Sequence, residues 1–435
     1  MRFKLRSLAI VVLASTLTIT GCQSAVHSDN TPVTKENPSE IKGTLTFISS
    51  RNDLVEKKFF DKYVEGFKKK YPAVKEVKVI ALKDYQTEIR VRILSNNYED
   101  VLILPNNFEK KNLPEYFEPL DELGLKDKLY FADEYNFEGK NYAITTGVAV
   151  EGLLYNKKAF KQAGIEKPPT SLNELYKSSE KLKQAGIIPI YANYASGWTL
   201  KQWGGLLSPV LNANPGSLQF MSQTDAPFQV DNELGKSYGV LHHLIEKGFV
   251  EPDLFTDRWE ESKVAIATGK AGMYYMGSWV ISQVLDKKET GVQAEDLGFA
   301  PFPSITGEKQ FALMSPDYYY VINKNSKNLP AAKAWVKYLL EESSFADDAG
   351  FMQTIKSRES SIPQLKEFMS YKPTLLESVS LDEDYGSISQ KAGFSLYDGK
   401  MIQEFAISKS LQTEFDKWNA KWKQARQAYL KEKGK

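Results

Sequence analysis

The chain has 435 residues, with 56 Lys and Arg against 55 Asp and Glu, so no net field favours nucleic acid or a charged surface and a neutral ligand fits the balance. That length exceeds one ordinary core and suits two lobes. Aromatic residues make up 12%, including 7 Trp and 23 Tyr, which serves either large cores or a pocket that stacks flat ligands.

At the start of the chain, Arg2, Lys4 and Arg6 precede an apolar run from Leu8 to Ile19 that is too short to span a bilayer. This is the pattern of a signal peptide. It ends in Ile19-Thr20-Gly21-Cys22, which resembles the bacterial lipobox, and Cys22 is the only cysteine of the sequence. Cleavage there would make Cys22 a lipidated N-terminus, and two acyl chains hold a protein on a membrane far better than one. Residues 23–40 are polar, contain proline and read as a flexible stalk.

The folded body is expected from Ile41. Gly43 to Ile48 alternates as a strand does, and Phe59, Phe60, Tyr63, Val64 and Phe67 recur at helical spacing up to a stop at Tyr71-Pro72. A second strand is expected over Glu76 to Leu82. Asp84 then caps a helix carrying Tyr85, Ile89 and Ile93, and Val101 to Leu104 reads as a short buried strand. The order is β-α-β-α-β. Ser171 and Glu174 stand at capping-box spacing ahead of Leu172, Leu175 and Leu182, with Gly186 as the stop. Asp231 is expected to cap a helix through Leu234, Tyr238, Leu241 and Ile245 that ends at Gly248. Leu411, Phe415, Trp418, Trp422, Ala425 and Tyr429 step by four and three along one long amphipathic helix, a stripe that serves packing.

Gly139-Lys140-Asn141-Tyr142 through Gly147, followed by Gly152-Leu153-Leu154-Tyr155-Asn156-Lys157, resembles a hallmark of the extracellular sugar-binding proteins of ABC importers, the family of maltose- and oligosaccharide-binding proteins. The resemblance continues through Phe160, Ala163-Gly164-Ile165, Pro168-Pro169 and Ser171 to Leu175. It includes Phe67 to Pro72 upstream, then Gly269 to Met273, Gly277-Ser278-Trp279 and Pro330 to Trp335 downstream, covering about Ile41 to Leu340. Two places depart from the family pattern: Glu99-Asp100 stands for Pro-Asp, and Asp317 to Tyr320 replaces a glycine-rich turn. The resemblance implies an α/β, two-lobed periplasmic-binding-protein-like fold whose lobes close on ligand about a hinge. Crossings between lobes are expected near 147 to 152, 299 to 303 and 340 to 346. The N-terminal lobe would then hold 41–149 and 301–340, and the C-terminal lobe 150–300 and 341–435.

A sugar offers hydroxyls and flat C–H faces, so carboxylates, amides and aromatic rings are the groups to seek. Trp279, after Gly277-Ser278 at the start of a helix, is expected to stack on ligand. Trp198 matches the family's loop of aromatic contacts, whereas Trp203 is expected to pack inside. Glu151, by similarity to maltose-binding proteins, should reach the cleft as a hydroxyl acceptor. From the loops at carboxyl ends of strands come Arg51, with Ser50 and Asn52, and then Asn106 and Asn107. Asp317, Tyr318 and Tyr319 complete the candidate set from a late strand.

For an enzyme, the chain shows no Gly-x-Ser-x-Gly elbow, no Gly-x-x-x-x-Gly-Lys phosphate loop and no His-Glu-x-x-His. His27, His242 and His243 are its histidines, and adjacent helical residues point about 100° apart, so the last two are poor chelators of one metal. The expectation is a binding protein with no catalytic residue, cofactor or metal. It would be a monomer outside the cytoplasm, tethered to the cell membrane by lipid, serving the permease subunits of an ABC transporter and binding no nucleic acid. The alternatives are a secreted carbohydrate-active enzyme and a carbohydrate-binding surface protein that takes no part in transport.

Overall fold

The computed structural model describes residues 40–106 and 108–434. The signal peptide, Cys22, the stalk up to residue 39 and Asn107 lie outside the described residues. Two separate large sheets organise the described chain, each with its own core.

The first lobe begins with the strand Gly43–Ser49, which pairs in parallel with Val74–Ala81 on one side and Val101–Ile103 on the other. Tyr319–Ile322 and Ile144–Thr145 extend this sheet in antiparallel fashion. The helix Asp61–Lys70 buries Tyr63 and Phe67, and Tyr71 closes it at the residue before Pro72, where a proline disfavours further helix. Asp84 caps the helix Tyr85–Leu94 by accepting the Thr87 N–H at 3.3 Å. A late helix, Leu329–Glu341, starts at a proline and returns to this core, where Trp335 meets Phe67 edge-on at 5.2 Å.

In the second lobe the strand Val148–Asn156 is buried at all nine positions because both faces of its sheet are covered: Leu153 and Tyr155 pack into one cluster, and Val148, Val150 and Leu154 into another. Ala271–Gly277 pairs with one edge, and Leu297–Pro301 and Phe311–Pro316 share the other. Ser171 starts the helix Leu172–Gln184 by accepting the Glu174 N–H at 3.2 Å, while the Glu174 carboxylate reaches back to the Thr170 N–H at 2.8 Å. The next long helix, Glu233–Glu246, differs from expectation at its start: Asn232, not Asp231, is the cap and accepts the Gly235 N–H at 2.9 Å. Gly235 is required by space, since a Cβ there would lie 1.8 Å from the Gln229 carbonyl oxygen. The long helix Leu411–Glu432 buries Phe415, Trp418, Trp422, Ala425 and Tyr429, with Phe405 and Phe394 packed against Phe415 and Trp418.

The chain leaves the first sheet at Thr145 and enters the second at Val148. It returns between Pro316 and Tyr319, later than the expected 299 to 303. The reason is that Pro301 ends a strand without ending the lobe, and Phe311–Pro316 still pairs with Val148 to Val150. A third passage lies between Phe345, in the first core, and Met352, which exchanges backbone hydrogen bonds with Val148 at 2.8 and 3.1 Å. The first two passages are laced together. Thr146 donates its N–H to the Tyr318 carbonyl at 2.7 Å and its hydroxyl to Asp317 Oδ2 at 2.9 Å, and Asp317 donates its N–H to the Gly147 carbonyl at 3.0 Å.

Candidate functional site: the interlobe cleft

A cavity of about 920 Å³ lies where the lobes meet. Arg51, Lys57 and Phe59 line it from the first lobe, Asp317, Tyr318 and Phe351 from the crossings, and Trp259, Lys263 and Trp279 from the second lobe. Its position follows from the topology, because the loop after the first strand and both passages near Asp317 and Phe351 open toward the same gap.

Trp279 is half-buried and follows the strand Ala271–Gly277 at the N-terminus of the helix Val280–Leu285. Its indole folds back across Gly277: a Cβ at that glycine would stand 2.4 Å from Trp279 Nε1 and 3.3 Å from Glu151 Oε1. Trp259 packs beside it with ring centroids 6.2 Å apart, and Trp198 touches both, at 6.1 Å from Trp279 and edge-on at 4.8 Å from Trp259. Trp198 is exposed on the turn Trp198–Trp203, while Trp203 is buried against Tyr275 and Phe302.

Trp259 was not singled out from sequence. Its signal is an aromatic residue opening a helix between charged neighbours, Asp257-Arg258 before it and Glu260-Glu261 after it. Lys263 sits 4.8 Å over its ring, fixed at 2.6 Å by Glu260, which also holds Lys287 at 2.7 Å. Such a cation over an indole face is favourable by about 0.5 to 2 kcal/mol and keeps the ring in place.

Glu151 departs from its expected role. It stands opposite Gly277 in the central strand and is 4% exposed, so it lies beneath the tryptophans and does not line the cavity. Burial pushes its carboxyl up to about 7, against the opposing pull of Lys201 and a hydrogen bond from Gln202. Among the described residues its Oε2 has no hydrogen-bond partner, and neither do Gln202 Oε1 and the Tyr275 hydroxyl, whose acidity is weakened first by burial and then by the Glu151 charge.

Arg51, Asp317 and Tyr318 all line the cavity. Burial raises the Asp317 carboxyl, while Thr146, the Tyr318 N–H and the Arg51 charge lower it in part. Tyr319 points elsewhere: it is buried in the first core with its ring 4.7 Å from Tyr135, as expected when neighbouring extended residues face opposite ways. Asn106 is exposed and its backbone is held by Gln86, at 2.9 Å, and Arg90, so it does not line the cavity. Asn52 also serves structure, donating its side-chain amide to the Leu82 carbonyl at 2.7 Å. The paired histidines separate, with His242 against the Ser408 carbonyl at 2.9 Å and the His243 ring on Tyr176 at 4.3 Å. Among the described residues no group of three or more His, Cys, Asp or Glu could hold a metal ion.

Aromatic faces on one wall and hydrogen-bonding groups on the other and at the base form a surface suited to a ligand with flat apolar faces and a polar rim.

Residues 52–344 match the family described as bacterial extracellular solute-binding protein. The multiple sugar-binding protein of Streptococcus mutans is 26% identical over 345 residues, 77% of this chain and 78% of that one. The melibiose/raffinose/stachyose-binding protein MelE of Bacillus subtilis is 22% identical over 313 residues, 70% of this chain and 72% of its own. Among solved structures, the ABC-transporter binding protein BlMnBP1 of Bifidobacterium animalis subsp. lactis, in complex with mannobiose, superposes with a TM-score of 0.72. It is 26% identical, and the superposition covers 90% of this chain and 96% of that one. The chain thus belongs to the bacterial extracellular solute-binding protein family, whose members work outside the cytoplasm.

Proposed function

We propose that this protein captures a sugar or oligosaccharide outside the cytoplasm and passes it unchanged to the membrane permease of an ABC importer. The observation that carries the reading is the interlobe cavity, walled by Trp259 and Trp279 on one lobe and faced by Arg51 on the other, with Asp317 and Tyr318 at its base. Indole rings cover the C–H faces of sugar rings, while guanidinium, carboxylate and phenol groups take hydroxyls as donors or acceptors. The sugar ligands named for the similar proteins of Streptococcus mutans, Bacillus subtilis and Bifidobacterium support the same class. The lipobox-like end at Cys22 supports a lipid tether to the outer face of the cell membrane, with residues 23–40 as the stalk.

The mature protein should gain thermal stability with one or more members of a panel of mono- and oligosaccharides, by about 2.7 kcal/mol at a hundredfold excess over Kd. The same sugars should be recovered intact after incubation. A panel without any stabilising member would overturn sugar capture, and a cleaved product would replace carriage with catalysis.

A further inference from the structure

On the second lobe, two exposed aromatic rings lie on the segments next to those that carry the cavity tryptophans. Phe255 is 77% exposed, in the loop that leads to Trp259. Leaving such a ring in water forgoes its burial, and the loop is built to hold it there. Asp253 Oδ1 accepts the N–H groups of Phe255 and Thr256, each at 3.2 Å, and Arg258 bonds Asp253 Oδ2 at 3.4 Å.

At its base the loop is locked to the segment that carries Trp198. Glu251, 5% exposed, accepts the N–H groups of Ala192 at 2.7 Å and Tyr194 at 2.8 Å, and the Ser196 hydroxyl donates to Asp257 Oδ1 at 2.7 Å. Tyr194 meets the Phe255 ring edge to face at 5.9 Å. Trp198, 42% exposed, touches both cavity tryptophans. Trp279 and Trp259 thus line the cavity, Trp198 packs against both, and Phe255 stands exposed on the loop that is hydrogen-bonded to the segment carrying Trp198, all on one lobe.

We propose that Trp198 and Phe255 form an outer subsite for the distal rings of a linear oligosaccharide whose first rings occupy the cavity. This rests on the sugar reading above. Because one lobe supplies both rings, closure of the two lobes leaves them accessible, and each added sugar face finds an aromatic partner at little entropic cost. The protein selects by length as well as by ring identity.

Calorimetric titration of the wild type and Phe255→Ala with mannobiose, mannotriose and mannotetraose, and with raffinose and stachyose, tests the proposal. In the series that binds, the shortest ligand should keep its affinity in Phe255→Ala while the longest binds about tenfold more weakly, and Phe255→Trp should restore the difference. The melting temperature of both variants without ligand should match the wild type, since the ring is exposed. An equal loss at every length, or none at any length, overturns the outer subsite and leaves sugar capture standing. If neither series binds the wild type, the outer subsite for these linear oligosaccharides is overturned, while sugar capture stands or falls on the wider panel.

Discussion

Trp279 is the residue on which the site's energetics turn, because its ring lines the cavity while being backed by Trp259 and Trp198. Trp279→Ala should cost roughly 2 to 4 kcal/mol of affinity, about 30- to 1,000-fold in Kd, with the unliganded fold largely kept. Calorimetry and a melting curve on the one variant decide it: near-normal affinity, or a collapse of the unliganded protein, would make the ring structural. Glu151 acts from beneath. Its carboxyl is raised from 4.5 to about 7, so the folded state binds more protons than the unfolded state across that interval. Stability therefore falls as pH rises from about 4.5 through 7 and levels off above, by a total on the order of 3 kcal/mol. Glu151→Gln should flatten that dependence and raise the melting temperature at pH 8. An unchanged pH profile would show that Lys201 and Gln202 keep the acid charged throughout. The sequence marked both residues, yet assigned Glu151 to the cleft, because position along a chain does not reveal that both faces of a strand are covered. Trp259 escaped notice for a related reason: the direction of its ring is set by Trp198 and Lys263, and Trp198 lies far away in sequence.

At the scale of elements, local chemistry was legible and long-range pairing was not. Asp84 and Ser171 cap their helices as their spacing predicts, since a side-chain oxygen and an N–H three residues on are a short-range matter. The start of the helix Glu233–Glu246 shows the limit of such reading, because Asp231 and Asn232 are both good caps and only backbone geometry selects between them. Asn232 has the extended conformation, accepts the Gly235 N–H and also donates to the Pro227 carbonyl at 2.7 Å. Asn232→Ala should lower stability by about 1 kcal/mol, whereas Asp231→Ala should change it by less than about half that. Urea midpoints of the two variants provide the comparison, and equal shifts would remove the distinction. The late return to the first lobe was beyond local reading for another reason. Pro301 looks like an ending, but Phe311–Pro316 still bonds to Val148 to Val150, residues more than a hundred and fifty positions upstream. The Asp317 to Tyr320 segment, where the family has glycines, then supplies two cavity residues and two buried tyrosines.

For the whole molecule, the joints between the lobes imply a motion. The lobes have separate cores, and the backbone ladder between residues 146–147 and 317–318 ties two of the three passages into one narrow strip at the cavity's base. Rotation about such a strip changes few contacts inside either core, so opening and closing cost little beyond the cavity surfaces themselves. A ligand that touches Trp279 on one lobe and Arg51 on the other favours the arrangement in which both contacts are made, and it can shift the equilibrium only by its difference in affinity between the two arrangements. Saturating sugar should therefore reduce the radius of gyration measured by solution scattering, and Trp279→Ala should need correspondingly more sugar for the same reduction. On the proposed lipid tether, Cys22→Ser should release the protein from the membrane fraction and leave that compaction intact, because Cys22 precedes the described body by many residues; a variant that still fractionates with the membrane would overturn the tether. A radius that stays constant under saturation confirmed by calorimetry would mean that ligand enters an already closed cleft, and the laced passages would then be a rigid brace between the lobes.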